Sequence, residues 1–342
     1  MRLMDEVREN RLLARWTQLL PRTPLQIGGV HETDAELLPL GDGRALALTV
    51  DTVAEEVKTG LYREPFTAGR TAAVAALSDL AAVGAEPLGL LLAVGLPPQD
   101  AEAVQREVAR GVGEVCREAG TAVLGGDTNE TSTLSVGCIG VGIVPEKEAL
   151  MRVGLRPGDL LFASGLLGLG SALAAARWLG LPEAIFGERD YLPPVRIREG
   201  QALRGMATAC IDTSDGLIAA LDQLARLNEV AVEVDRPLEE LLGPRVDAVR
   251  RALALPAFPF LAGQHGEFEL VFGVPPPRLP DLMRAAATFG WRPVSLGRAT
   301  PGAGLRLGGR LVDGARVRNL FADLNGDVAA YVRTLCAWGI ER

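Results

Sequence analysis

Ser78-Asp79-Leu80-Ala81-Ala82-Val83-Gly84-Ala85-Glu86-Pro87 closes a long Ala-rich stretch that begins near Thr67. The composition predicts a helix over Thr67 to Val83, with Gly84 as its terminator. Leu88 to Leu96 then reads as a strand stopped by Pro97-Pro98. Asp79 is the odd residue in this unit. A solvated helix face would carry several charges, yet Asp79 has apolar neighbours, and the helix dipole disfavours an acid near a C-terminus. Burial beside cations is the sharper explanation, and a single exposed residue is the plainer one.

Working outward, Glu6 to Leu20 reads as a helix, and Ala45 to Val50 as a buried strand ending at Asp51. Downstream, Asp100 caps an amphipathic helix running to about Ala119. Thr121 to Leu124 reads as a short strand, Gly125-Gly126 as a tight turn delivering Asp127-Thr128, and Leu134 to Val144 as a second long strand. Met151 to Asp159 is polar turn chemistry, with Arg152, Gly154, Arg156, Pro157 and Gly158. A domain boundary is expected there, dividing residues 1–150 from 151–342. The second half repeats a looser α/β order. Leu160 to Ser164, Val230 to Val234 and Phe268 to Val274 are strands, and Thr208 to Ile211 leads to Asp212. Gly165, Gly168 and Gly170 open a helix to Leu179, Ser214 is placed to cap a helix over Asp215 to Leu227, and Asp281 to Phe289 is a further helix. No solenoid-period repeat is visible.

The chain has 342 residues, 48% of them hydrophobic, enough for large cores and two domains. Its formal charge of −8, from 35 basic and 43 acidic residues, disfavours a general nucleic-acid binder. Cys116, Cys138, Cys210 and Cys336 form no CxxC pair and read as reduced thiols of a cytoplasmic protein. Met1 to Glu6 has no signal-peptide core, and no apolar stretch is long enough for a membrane span. His31 and His265 are too few for a His-rich metal site or a histidine-based triad.

Four acidic segments follow apolar runs, at Asp51-Thr52, Ser78-Asp79, Gly125-Gly126-Asp127-Thr128 and Asp212-Thr213-Ser214-Asp215. A turn-forming Asp, a Gly-Gly turn or a helix cap accounts for single cases. Several together read as hard-cation ligands converging in space, chemistry that suits Mg²⁺ and the polyphosphate of ATP. The strand-to-helix junction at Asp212 and Asp215 points helix N–H groups at an anion. Gly165-Leu166-Leu167-Gly168-Leu169-Gly170 is either a phosphate-facing turn or tight packing; it lacks the Gly-Lys-Ser/Thr ending of a P-loop. Arg152 and Arg156 are candidates for neutralising phosphate.

In this order, the motifs resemble the superfamily of aminoimidazole-ribonucleotide synthase, selenophosphate synthetase, hydrogenase-maturation dehydratase and thiamine-monophosphate kinase, and thiamine-monophosphate kinase most of all. Ser78 to Pro87 is close to that family's signature, and Gly125 to Thr128 matches its Gly-Gly-Asp-Thr. Asp51-Thr52-Val53 with Glu55 matches its Thr-Asp-Thr segment. Arg152 to Asp159 matches Arg-Ser-Gly-Ala-Lys-Pro-Gly-Asp, and Asp212 to Leu217 matches Asp-x-Ser-Asp-Gly-Leu. The resemblance implies an α/β (α+β) homodimer whose N-terminal mixed sheets pair into a barrel, each followed by a C-terminal α/β domain. It implies ATP and Mg²⁺ between the domains and transfer of the γ-phosphate to a small phosphorylated metabolite, thiamine monophosphate. By position, Asp34, Asp51, Asp79, Asp127 and Asp215 would hold metal. Asp127, Arg152 and Asp215 would act in catalysis, and Thr52, Gly125, Gly126, Asp212 and Ser214 would bind the nucleotide.

Three segments depart from the family pattern. Gly-Asp-Asp-Ala-Ala is replaced by Glu32-Thr33-Asp34-Ala35-Glu36, and Glu-Gly-Val-His-Phe by Glu55-Glu56-Val57-Lys58-Thr59. Gly-Gly-Glu-Asp-Tyr-Glu-Leu is replaced by Gln264-His265-Gly266-Glu267-Phe268-Glu269-Leu270. The His-Phe pair lies near the substrate in that family. Two further readings share the ATP site: an enzyme phosphorylating a carbonyl or amide oxygen, and a non-catalytic nucleotide binder.

Overall fold

The computed structural model describes residues 4–338. The first three residues of the expected signal-free N-terminus and the last four of the chain lie outside them. Five strands form the first sheet: β1 (Glu36–Pro39), β2 (Arg44–Thr52), β3 (Glu86–Leu96), β4 (Val123–Glu130) and β5 (Ser135–Pro145). Their spatial order is β1-β2-β5-β3-β4, with only β3 and β4 parallel. The helices of this half are α1 (Arg8–Leu19), α2 (Ala54–Thr59), α3 (Pro65–Ala82) and α4 (Ala101–Ala119).

Seven strands form the second sheet: β6 (Leu160–Ala163), β7 (Ala209–Asp212), β8 (Ala231–Val234), β9 (Leu270–Val274), β10 (Val294–Thr300), β11 (Gly304–Leu307) and β12 (Arg310–Val312). Their order is β12-β11-β8-β10-β6-β9-β7. Around them lie α5 (Leu169–Trp178), α6 (Ile197–Leu203), α7 (Gly216–Asn228), α8 (Pro244–Ala252), α9 (Phe258–Ala262), α10 (Leu279–Thr288), α11 (Gly314–Asp323) and α12 (Val328–Trp338). The molecule is thus mixed α/β with two mixed sheets, and neither closes into a barrel among the described residues. No described helix is long and apolar enough to cross a membrane.

Helix α3 is the post between the sheets. From Thr67 to Ala82 every residue except Asp79 is buried, as an all-round apolar helix requires. One side packs on β2 and β5, the other reaches β7 and α6, and α4 lies alongside. A Cβ at Gly69 would sit 2.3 Å from the carbonyl oxygen of Val108, and one at Gly111 2.3 Å from that of Phe66. The α3–α4 crossing therefore needs both glycines. Arg70 of α3 then bonds Glu114 at 3.1 Å and Glu118 at 2.9 Å on α4.

The two-residue period of β2 sorts its side chains by face. Ala45 and Ala47 are buried toward α3, with Thr49 and Asp51 next on that face. Leu46, Leu48 and Val50 point the other way, where Val50 is 70% exposed. Leu91 and Leu124 of β3 and β4 are also exposed. The first sheet thus has one packed face and one open apolar face.

Several local expectations are corrected. Gly125-Gly126 is not a turn: both lie within β4, whose eight residues are all exposed. Parallel pairing with β3 holds that glycine-rich segment extended. The N-cap of α7 is Asp215, without a side-chain bond, rather than Ser214, whose hydroxyl turns back to Asp212. Asp100 occupies the N-cap of α4 in a left-handed conformation and makes no capping bond.

Candidate active site

An acidic cavity of about 190 Å³ lies where the two sheets face each other across α3. Asp34 enters from the loop before β1, Asp51 from the end of β2 and Asp79 from α3. Asp212 comes from the end of β7, and Ser214 and Asp215 from the start of α7. Carboxylate oxygens of Asp34, Asp79 and Asp212 lie within 4.8 Å of one another. Ser78 donates to Asp212 at 2.8 Å, Thr49 donates to Asp79, and the Asp212 N–H donates to Asp34 at 3.3 Å.

Like charges packed this closely cannot all ionise. Burial pushes Asp79 well above the usual carboxylate range, with Asp51, Asp212 and Asp34 adding to the rise. Burial and Asp34 push Asp212 up to about 7, and burial and Glu9 push Asp215 up to about 6. Asp51 rises through burial, partly relieved by a hydrogen bond with Asp79. One oxygen each of Asp34 and Asp51 is buried with no partner. A set of hard oxygen donors, crowded and partly unpartnered, fits Mg²⁺.

Two half-buried arginines border these acids. Arg152 pairs with Asp34 at 2.8 Å. Burial opposes its charge, but Asp34 and the neighbouring acids hold it protonated. Arg318 of α11 contacts Gln223 at 2.5 Å and Glu9 at 3.7 Å. The Nε atoms of both arginines are buried without a partner, and both side chains line the cavity.

The candidate residues divide in space. Asp34, Asp51, Asp79, Arg152, Asp212, Ser214 and Asp215 line the cavity. Thr52, Gly125, Gly126 and Asp127 do not, and Asp127 is exposed on β4, where it accepts from Asn129 at 2.7 Å. Arg156 is exposed as well. The Gly165–Gly170 turn resolves as packing: a Cβ at Gly170 would lie 2.2 Å from the His265 carbonyl oxygen. Glu267 already accepts from the N–H groups of Gly168 and Leu169, occupying the start of α5.

Asp212, read within one of the four acidic segments and assigned to the nucleotide, joins the carboxylate cluster itself, whereas Arg318, Gln223, Asn10 and Glu9 as wall residues escaped the sequence reading. Asp212 had a signal, since it ends β7 as Asp51 ends β2. Arg318 had none, because only the packing of α11 beside α7 brings it in.

A second cavity, of about 360 Å³, adjoins the first and shares Glu9 and Asp215 with it. Trp178 stacks on His265 at 6.3 Å between ring centroids, and His265 meets Tyr331 edge-on at 5.4 Å. Thr59, Gln264 and His265, three of the positions departing from the family pattern, line this cavity, whereas Lys58 is exposed.

Comparison with known proteins gives this geometry a lineage. Residues 32–144 match the family described as AIR synthase related protein, N-terminal domain. Thiamine-monophosphate kinase of Halobacterium salinarum is 34% identical over 270 residues, covering 77% of this chain and 87% of that one. The chain belongs to the thiamine-monophosphate kinase family. The crystal structure of this kinase from Stenotrophomonas maltophilia is 28% identical, with a TM-score of 0.67 over 90% of this chain and 98% of that one. A structure described as AaThiL complexed with AMPPCP and TMP has a TM-score of 0.75, covering 92% of this chain and 97% of that one. At 23% identity it supports the fold.

Proposed function

We propose that the chain transfers the γ-phosphate of ATP to the phosphate of thiamine monophosphate in a Mg²⁺-dependent reaction. The junction of the two cavities at Glu9 and Asp215 carries this reading. The acidic cavity suits metal and phosphates, and the aromatic cavity suits the organic part of the acceptor. Family membership, and the kinase activity named for the relatives, support it.

Asp34, Asp51, Asp79, Asp212 and Asp215 would hold Mg²⁺, which supplies charge neutralisation for the transferring group. Arg152 and Arg318 line the acidic cavity and would neutralise phosphate charge there, and fixed cations of this kind lower the barrier by charge stabilisation and positioning. Ser78 and Thr49 keep two carboxylates in place.

Asp127 lies at the same end of the first sheet as Asp51. The register aligns Asp51 with Cys138, Leu92 and Gly126, and Asp127 with Ala93, Gly137 and Thr52, so Asp127 is three strand spacings, or ~14 Å, from β2 and its side chain takes the face opposite Asp51. One ion cannot bridge the two, and Asp127 is assigned to the nucleotide at the edge strand β4 rather than to the ion at Asp51. Thr52, Gly125, Gly126 and Ser214 are assigned to that nucleotide.

The assignment extends to architecture. Residues 1–150 would form the dimerisation and nucleotide domain, and residues 151–342 the second α/β domain. The open face with Val50, Leu91 and Leu124 is an apolar patch of the kind that pairs with another chain. A second copy would close a barrel there. The expected compartment is the cytoplasm.

The changes at Thr59, Gln264 and His265 favour a second reading, in which the same ATP site serves another phosphorylated acceptor. A coupled ADP-release assay with thiamine monophosphate and a panel of phosphorylated metabolites decides between them. Stimulation by thiamine monophosphate alone supports the first reading, and stimulation by another acceptor alone replaces it.

A further inference from the structure

The second cavity has a charge pattern unlike the first. Glu9, Glu55, Glu56 and Asp215 line it, while no described lysine or arginine does. His265 does not offset them, because burial lowers its pKa to about 4 and leaves it neutral. Trp178, Phe321 and Tyr331 supply further aromatic wall. Carboxylates set among π faces form a receptor for an organic cation.

Among those carboxylates Glu56 stands apart. Glu9 and Glu55 are exposed, and Asp215 is shared with the metal cavity. Glu56 is half-buried on α2, and its Oε2 has neither solvent nor a hydrogen-bond partner. Its carbonyl oxygen accepts from the N–H groups of Leu61 at 2.8 Å and Tyr62 at 3.2 Å, which fixes the end of α2. An unpaired buried carboxylate is costly. Burial, with Glu55, Asp215 and Asp51 nearby, raises it to about 7. A cation in the cavity would remove that cost. The family pattern has glycine here, so this carboxylate is an addition of this chain.

We propose that Glu56 is a specificity-determining residue whose carboxylate pairs with a cationic heteroaromatic ring of the phosphate acceptor. The inference rests on the reading of the second cavity as the acceptor site. It makes the acceptor a phosphorylated compound with a permanently charged ring, of which a thiazolium is one example.

Calorimetric binding at pH 8, with Mg²⁺ and a non-hydrolysable ATP analogue present, tests it. The two probes are thiamine monophosphate and the isosteric monophosphate whose thiazolium is replaced by an uncharged thiophene. The wild type should bind the cation about tenfold or more tightly. Glu56→Gln and Glu56→Gly should bring that ratio within about threefold, with affinity for the ATP analogue unchanged as the check on folding. A ratio unchanged by both substitutions overturns the role of Glu56 and leaves the kinase reading standing. Glu56-dependent preference for the cation without phosphate transfer keeps the inference and overturns the kinase reading. Binding of neither probe overturns both.

Discussion

Ser78 donates its hydroxyl to the Asp212 carboxylate at 2.8 Å, tying α3 to the end of β7 across 134 residues of chain. This bond also tunes the cluster, because it favours the ionised form of Asp212 against burial and Asp34. Ser78→Ala should lower stability by about 1–3 kcal/mol. It should also move the onset of Mg²⁺ binding to higher pH, since Asp212 then holds its proton more tightly. Denaturant melts and Mg²⁺ titrations from pH 6 to 8 check both effects, and an unchanged Mg²⁺ profile removes Asp212 from the metal set.

Stability without divalent cations should fall as pH rises from 6.5 to 8. Asp79 lies well above the carboxylate range, Asp212 is near 7, Glu56 near 7 and Glu267 near 8. A carboxylate with a raised folded pKa contributes stability present below its unfolded value and lost as pH rises through the folded one. The buried histidines work in the opposite direction at lower pH, where the unfolded chain binds their protons, so this window avoids them. Added Mg²⁺ should cancel the part due to Asp79 and Asp212. Thermal melts with chelator and with Mg²⁺ measure this, and a midpoint that climbs across the window without metal contradicts it.

Asp127→Asn should abolish Mg²⁺–ATP turnover while changing stability by less than about 0.5 kcal/mol, as expected for an exposed position. Paired activity and melting measurements test the two halves separately. Full activity in this variant excludes Asp127 from the nucleotide site.

The open face of the first sheet should hold a dimer together. Light scattering should give twice the chain mass for the wild type, and Val50→Lys with Leu91→Lys should give a monomer that still melts cooperatively. A monomeric wild type contradicts the shared barrel.

Local pattern carried much of this site. The buried helix around Asp79 was readable because its faces are apolar all round, and the β2 strand because its apolar run ends at Asp51. The Gly125–Gly126 segment misled, because its extended form comes from pairing with β3 rather than from its own residues. The strands β10 to β12 and the helices α11 and α12 were missed for a related reason. Their partners are far away in the chain: β11 pairs with β8, and Tyr331 of α12 accepts from the Gln264 N–H at 3.0 Å. Arg318 reaches the acidic cavity only through that packing.

The most direct test follows the transferred phosphate itself. Wild type, Asp79→Asn and Arg152→Ala are each incubated with ATP, Mg²⁺ and thiamine monophosphate, and products are resolved by phosphorus NMR. The wild type should form thiamine diphosphate and ADP in equal amounts, only with Mg²⁺. Asp79→Asn should form none, and Arg152→Ala should be slower by about 10²- to 10³-fold. Thiamine diphosphate formation by Asp79→Asn at the wild-type rate, or none by the wild type at saturating substrates, would contradict the account.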